Sequence, residues 1–188
     1  MRNRLVFLFL LICFATPAAL AAGPGQALSE AQTKYSAGDK LGALDQTREA
    51  MLAIWSEVPL TARRAAFVTE APQGYGMYSP VTKPVFDPVD PIHVYFEPVG
   101  GTIRREGGLF KMSLAADFAV KDAKGKVLGG QENIQGLQTA TRTFSSEVMM
   151  TLTFNLKGLP AGQYTLVVTL RDLYSDKKAA VQLPFAVQ

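Results

Sequence analysis

The spacing of hydrophobic and polar positions changes character once along this chain. From Gln26 to Glu57 the apolar residues recur at helical intervals, and from Thr61 onward they alternate with a period of two. The alternation is cleanest in the last third. Val148, Met150, Leu152, Phe154 and Leu156 share one face, and Tyr164, Leu166, Val168 and Leu170 do so after a Leu159-Pro160-Ala161-Gly162 turn. Ala179, Val181, Leu183, Phe185 and Val187 follow after the polar stretch Asp172 to Lys178. Such alternation marks strands with one buried face. It predicts the closing part of an antiparallel β-sandwich, so the rest of the chain must supply the other strands.

Upstream, Ile92, Val94 and Phe96 alternate with His93, Tyr95 and Glu97, and Phe110 to Val120 alternates through Met112, Leu114, Ala116 and Phe118. Asp122-Ala123-Lys124-Gly125 reads as a hairpin loop with Gly125 in the left-handed position. Arg64 to Thr69 reads as a first edge strand. Gly130 to Ala140 is polar and weakly patterned, and is expected to be a loop with at most a short strand. Between residues 61 and 91 the prolines Pro72, Pro80, Pro84, Pro88 and Pro91 predict an extended lead-in with few ladder hydrogen bonds. Its interleaved aromatics, Tyr75, Tyr78 and Phe86, are expected to fasten it to the sandwich.

The helical part, residues 24–60, divides at Gly38-Asp39, with Asp39 as N-cap of the second helix. Ala27, Leu28, Ala31 and Tyr35 form a stripe on the first helix. Leu41, Leu44, Met51, Trp55 and Val58 form one on the second. Ala31, Tyr35, Gly38-Asp39, Ala43 and Ala50 together resemble a single tetratricopeptide unit, over about 30 residues. There is no second copy, and one such unit cannot bury its face alone. The expectation is therefore a helical hairpin packed on its own β-domain or on a partner, without a peptide-binding groove carried over. If the stripe with Trp55 and Met51 lies bare, it is a docking face.

About seven strands with closely spaced turn signals are the pattern of an immunoglobulin-like sandwich. The string from Leu159 to Val187 resembles the last strands of immunoglobulin-like or fibronectin type III-like modules of exported bacterial proteins. Gly162-Gln163-Tyr164 resembles a tyrosine corner, which implies that the Tyr164 hydroxyl bonds upstream backbone. The resemblance spans Thr61 to Gln188 and implies an architecture, since this fold hosts many unrelated functions.

The first residues change the compartment. Arg2 and Arg4 precede an apolar run, Leu5 to Ala15, then Pro17 and the small-residue site Ala19-Leu20-Ala21. This reads as a signal peptide, residues 1–21, cleaved after Ala21 or alternatively Ala22. An uncleaved anchor over Leu5 to Ala22 is the competing reading. Pro17 opposes it, at a cost of about 3 kcal/mol inside a helix. The expected destination is the periplasm or the exterior, with no membrane span in the mature chain. Cys13, the one cysteine of the sequence, falls in the leader, so the mature chain folds on its hydrophobic core without disulfides. Removing Arg2 and Arg4 from 19 basic residues leaves 17 against 16 acidic ones, a net charge of +1. That balance lacks the basic excess of a nucleic-acid binder.

Candidate chemistry is sparse. His93 is the single histidine, and with no mature cysteine neither a Ser-His-Asp nor a Cys-His set can be assembled from the usual parts. Zinc normally takes several His or Cys ligands. Asp87, Asp90 and Glu97 lack the spacing of a calcium loop. No catalytic residue, metal ligand or cofactor site is therefore assigned. The expected role is a non-catalytic interaction module that binds another envelope protein through its sandwich edge or its helical hairpin, with a glycan or cell-envelope ligand as the alternative. Tyr75 and Tyr78 are candidates for a stacking platform. Arg104 and Arg105, in a glycine-flanked loop, are candidates for an acidic ligand or lipid head groups. Trp55 is the candidate on the hairpin.

Overall fold

The computed structural model describes residues 23–155 and 157–188; residues 1–22, which carry the expected signal peptide and Cys13, and Leu156 lie outside them. Among the described residues the protein is mainly β, with 49% in strands, two helices and curled sheets. Helix α1 spans Pro24–Ser36 and α2 spans Lys40–Glu57. The strands are β1 Thr61–Val68, β2 Val85–Phe86, β3 Pro91–Val99, β4 Arg104–Glu106, β5 Leu109–Asp122, β6 Val127–Thr141, β7 Met150–Asn155, β8 Gly162–Asp172 and β9 Lys178–Val187.

Two unequal sheets enclose one core. The smaller has the order β1-β3-β7. The larger runs β2-β9-β8-β5, with β6 on one edge of β5 and the short β4 sharing the other edge with β8. All neighbours are antiparallel except β2, which pairs parallel with β9. Val94 and Phe96 from β3, Leu152 and Phe154 from β7, Leu114 from β5 and Leu166, Val168 and Leu170 from β8 interdigitate between the sheets. The described period-two residues of the last third do face this core, from Val148 down to Phe185 and Val187, with Ala179, Val181 and Leu183 partly buried against it. The Tyr164 hydroxyl donates to the Pro160 carbonyl at 2.7 Å, so β8 is pinned at its start by the corner bond its sequence implied.

The lead-in behaves as its prolines require. Only Val85-Phe86 enters a ladder; a single bridge between Pro80 and Val68, with the Val81 amide donating to the Phe67 carbonyl at 2.8 Å, ties the lead-in to β1, and aromatic contacts add to these. Phe86 meets Phe67 at 5.2 Å between centroids, and Tyr78 stacks on Tyr95 at 4.1 Å. At Asp122–Gly125 the turn forms with Gly125 at φ +81°. The Asp122 carboxylate accepts from the amides of Lys124 and Lys126.

Two elements depart from the sequence reading. Residues 130–140 are not a loop but most of the 15-residue strand β6. As an outer strand it has one neighbour, so most of its side chains stay exposed and its polarity does not alternate strongly. Glycine contributes for a second reason: a Cβ at Gly130 would sit 2.4 Å from the Phe118 carbonyl. The strand is bent at Asn133, which adopts φ +55° beside a register shift opposite Ala116 and Phe118. Arg104 and Arg105 likewise lie in a strand, β4, joined to β5 by the left-handed pair Gly107-Gly108.

Candidate functional site

Helices α1 and α2 meet through Ala27, Ala31, Ala43 and Ala50, small side chains that let the two backbones approach. Asp39 caps α2 by accepting from the Gly42 amide at 2.9 Å. That bond, helped by Lys34, holds its carboxyl below the ordinary value.

The hairpin is fixed to the β-domain at the root of α2. Trp55 is 5% exposed, its Nε1–H donates to the Gly101 carbonyl at 2.7 Å, and its ring meets Phe144 edge-on at 5.6 Å. Lys177 donates to the carbonyls of Ser56 at 3.4 Å, Val58 at 3.1 Å and Gly100 at 2.9 Å. A cation placed there satisfies orphan carbonyls and the negative end of the helix dipole. Arg105 reaches Glu49 at 2.8 Å and lies over the Phe110 ring. Trp55 is therefore not part of a bare surface. It sits on the side of α2 that, at the helix end, points into the β-domain, and it plugs the core there.

Away from Trp55 and the half-buried Val58, that stripe is uncovered. Leu41 is 78% exposed and Tyr35 61%, and Leu28, Leu44, Met51 and Ile54 are exposed as well. Between the helices on this side runs an open groove of about 530 Å³ bounded by Leu28, Ala31 and Tyr35 on α1 and Ala43, Leu44 and Thr47 on α2. These positions repeat at intervals of three, four and seven, the spacing with which helices meet.

The other sequence-selected residues do not gather at this groove. Tyr75 and Tyr78 lie in the lead-in over the outer face of β3. Glu97, 4% exposed, accepts from the Tyr95 hydroxyl at 3.0 Å and pairs with Arg63 at 3.3 Å. Arg63 also bonds the Tyr75 hydroxyl, and Tyr95 accepts from the Gly76 amide at 2.8 Å. Burial raises the hydroxyl pKa of both Tyr75 and Tyr95, and nearby Glu97 adds to it. Tyr78 is half-buried and spends one ring face on Tyr95, so the two tyrosines are tied into the strap rather than presented as an open pair. Arg104 covers the Tyr174 ring at 4.2 Å, and Arg105 holds the hairpin. Glu97 is thus remote in role from Asp87, whose carboxylate accepts from the Val89 amide. Among the described residues no three His, Cys, Asp or Glu side chains come together as a metal site.

Two further carboxylates are structural. Asp117 pairs with Arg171 at 2.6 Å and accepts from the Asn133 amide at 2.8 Å, which fixes the bend of β6. Asp172, 6% exposed, accepts from the amides of Thr102 and Tyr174. The bonds to Arg171 and Thr102 are long-range and leave no local mark on the sequence.

No family model matches the chain, and no curated protein matches it in sequence. Among solved structures, it is similar to a superoxide reductase (neelaredoxin) from Ignicoccus hospitalis, at 15% identity and TM-score 0.34, over 71% of this chain and 85% of that one. It is also similar to the alkylpurine DNA glycosylase AlkC of Pseudomonas fluorescens, at 10% identity and TM-score 0.37, over 88% and 43% of the two chains. The sporulation control protein Spo0M of Bacillus subtilis aligns at 12% identity and TM-score 0.29, over 57% and 46%. No helix among the described residues is long and apolar enough to cross a membrane.

Proposed function

We propose that this is an exported, non-catalytic interaction module: an immunoglobulin-like β-domain that holds out a helical hairpin to another envelope protein. The observation that carries this is the bare apolar groove of the hairpin, Leu28, Tyr35 and Leu44, on an arm fixed at its root by Trp55 and Lys177. Leaving that much apolar surface in water is unfavourable, and contiguous exposed patches of this kind mark association sites. The immunoglobulin-like reading draws support from the parallel β2–β9 pair, the β9-β8-β5-β6 order and the Tyr164 corner. Export rests on the leader, and cleavage after Ala21 gives a mature chain that starts close to α1.

Site-specific photocrosslinking in the exporting cell tests this. A photoreactive residue at Leu44 yields a discrete adduct with one envelope protein, and Leu28→Glu in the same chain removes that adduct. The same probe at Lys124, on the β5–β6 turn, yields none. An adduct that survives Leu28→Glu, or no adduct from any hairpin position, rejects the reading.

A further inference from the structure

The two sheets differ in width, and the difference leaves the molecule open along one side. The larger sheet ends in β6 and the smaller in β7, and neither has a partner on its outer edge among the described residues. β6 runs 15 residues while β7 runs six, so the inner face of β6 extends past the strand opposite. The connector between them, residues 142–149, closes this side only in part. It leaves a mainly apolar pocket of about 270 Å³, lined by Phe110 and Met112 of β5, Leu137 and Thr139 of β6, and Phe144 and Val148 of the connector, with Glu147 the one charged residue in the lining.

The edge and the pocket are in step. Thr139 pairs with Met112 and Leu137 with Leu114, so Leu137 and Thr139 share the inner face with core residues. Gly136, Gln138 and Ala140 between them are exposed on the outer face. A strand laid against β6 would therefore place every second side chain at the mouth of the pocket. Past the Asn133 bend the edge is also undefended. Charge, proline and lysine are the usual means of blocking strand addition, and over Val127–Thr141 the sequence has one charged residue, Glu132, and no proline or lysine. Beyond the bend at Asn133, residues 134–141 carry no charge at all.

From these two observations we infer that the outer edge of β6 is a second binding site. It takes an extended, charge-poor segment of a partner protein with apolar side chains at alternate positions. Main-chain hydrogen bonds to β6 supply affinity, and the pocket beside Leu137 and Thr139 selects the alternating apolar residues, the division of labour in strand addition. This site is separate from the hairpin groove and does not depend on it.

The probe is a synthetic peptide of about nine residues, a typical strand length, with valine or leucine alternating with threonine. It is titrated into the mature protein and followed by fluorescence anisotropy, with amide hydrogen exchange read residue by residue. Saturable binding is expected, with new protection confined to amides of β6. N-methylation along one edge of the peptide weakens it at least tenfold while leaving its side chains intact. Thr139→Trp, which fills the pocket, weakens it comparably. If Thr139→Trp does not fold, the N-methylated peptide against the unaltered protein carries the test. Binding weaker than about 1 mM, equal binding of the N-methylated peptide, or protection on β7 or the hairpin instead overturns the inference. So does protection of β6 that grows with protein concentration and no peptide, because the occupant is then a second copy of this chain. Leu28→Glu leaves peptide binding unchanged, which separates this result from the fate of the hairpin reading.

Discussion

Single side chains decide how this molecule responds to acid. The bond from Arg171 holds the Asp117 carboxyl below its ordinary value, despite the opposing effect of burial and with help from the Asn133 amide. At Asp172 burial pushes the carboxyl up, but the bonds from Thr102 and Tyr174 outweigh it and the net direction is down. Both folded-state values thus lie below the unfolded value of about 3.9. The stability they contribute is complete above that value and is lost as the pH falls through the folded pKa values. The denaturation midpoint in urea is expected to be flat from about pH 7 to pH 5 and to fall steeply below about pH 4. Asp117→Asn is expected to lower the plateau and flatten the acid limb, since it removes the titrating partner of Arg171. An acid limb of unchanged steepness in both Asp117→Asn and Asp172→Asn would show that other carboxylates control it. Neither role was legible in the sequence: Arg171 follows Asp117 by 54 positions, and Thr102 precedes Asp172 by 70. The Tyr164 bond was legible because its partner, Pro160, is four residues away in a recognisable turn.

Elements were readable where one face is buried and the other is not. Strands β5, β8 and β9 and both helices announce themselves through period or capping, and Asp39 performs the role its position suggested. Strand β6 did not, because at the edge of a sheet with most side chains exposed no burial imposes alternation on it. The α2 stripe was read as one surface, yet Trp55 faces the β-domain while Leu41 and Leu44 face solvent. Helical spacing sets which residues align but not where along the helix a neighbouring domain begins. The junction of elements that does decide it is Gly100, at φ +78°, where a Cβ would lie 2.5 Å from the Pro59 carbonyl and 2.6 Å from that of Val58. Gly100→Ala combines a left-handed penalty of roughly 1–3 kcal/mol with a clash against backbone that cannot swing aside. It is expected to loosen the α2 root specifically. Exchange at the last turn of α2 should speed up, and the emission of Trp55, the one tryptophan, should shift to the red while β5 and β8 stay protected. Uniform loss of protection throughout the sheets would place Gly100 in the core of global stability instead.

At the scale of the whole molecule the two parts are unequal partners. The β-domain has a core of interleaved Leu, Val and Phe shared by both sheets. The hairpin has an interface of four buried alanines and an apolar face turned to water. Alanine packing buries little area at ~25 cal/mol per Å², and isolated helices of this length are marginal in water. The ion pair between Arg105 and Glu49 adds little, since the two side chains are 57% and 54% exposed and such pairs contribute about 0–1 kcal/mol. Attachment therefore falls mainly to the Trp55 plug and the Lys177 cap. A peptide of residues 23–58 is accordingly expected to be largely unfolded by circular dichroism, although the same residues are helical in the full chain. The fragment 59–188 is expected to unfold cooperatively, weakened by about 3–5 kcal/mol, the cost of emptying a large aromatic site. Trp55→Ala in the full chain should reproduce that loss, and Glu49→Gln should not. If the peptide instead proves helical alone, the hairpin is a self-sufficient unit, and its bare groove is no longer balanced by the β-domain but by its own packing. If fragment 59–188 fails to fold, the hairpin is a structural stopper first, and its exposed face is incidental to that work.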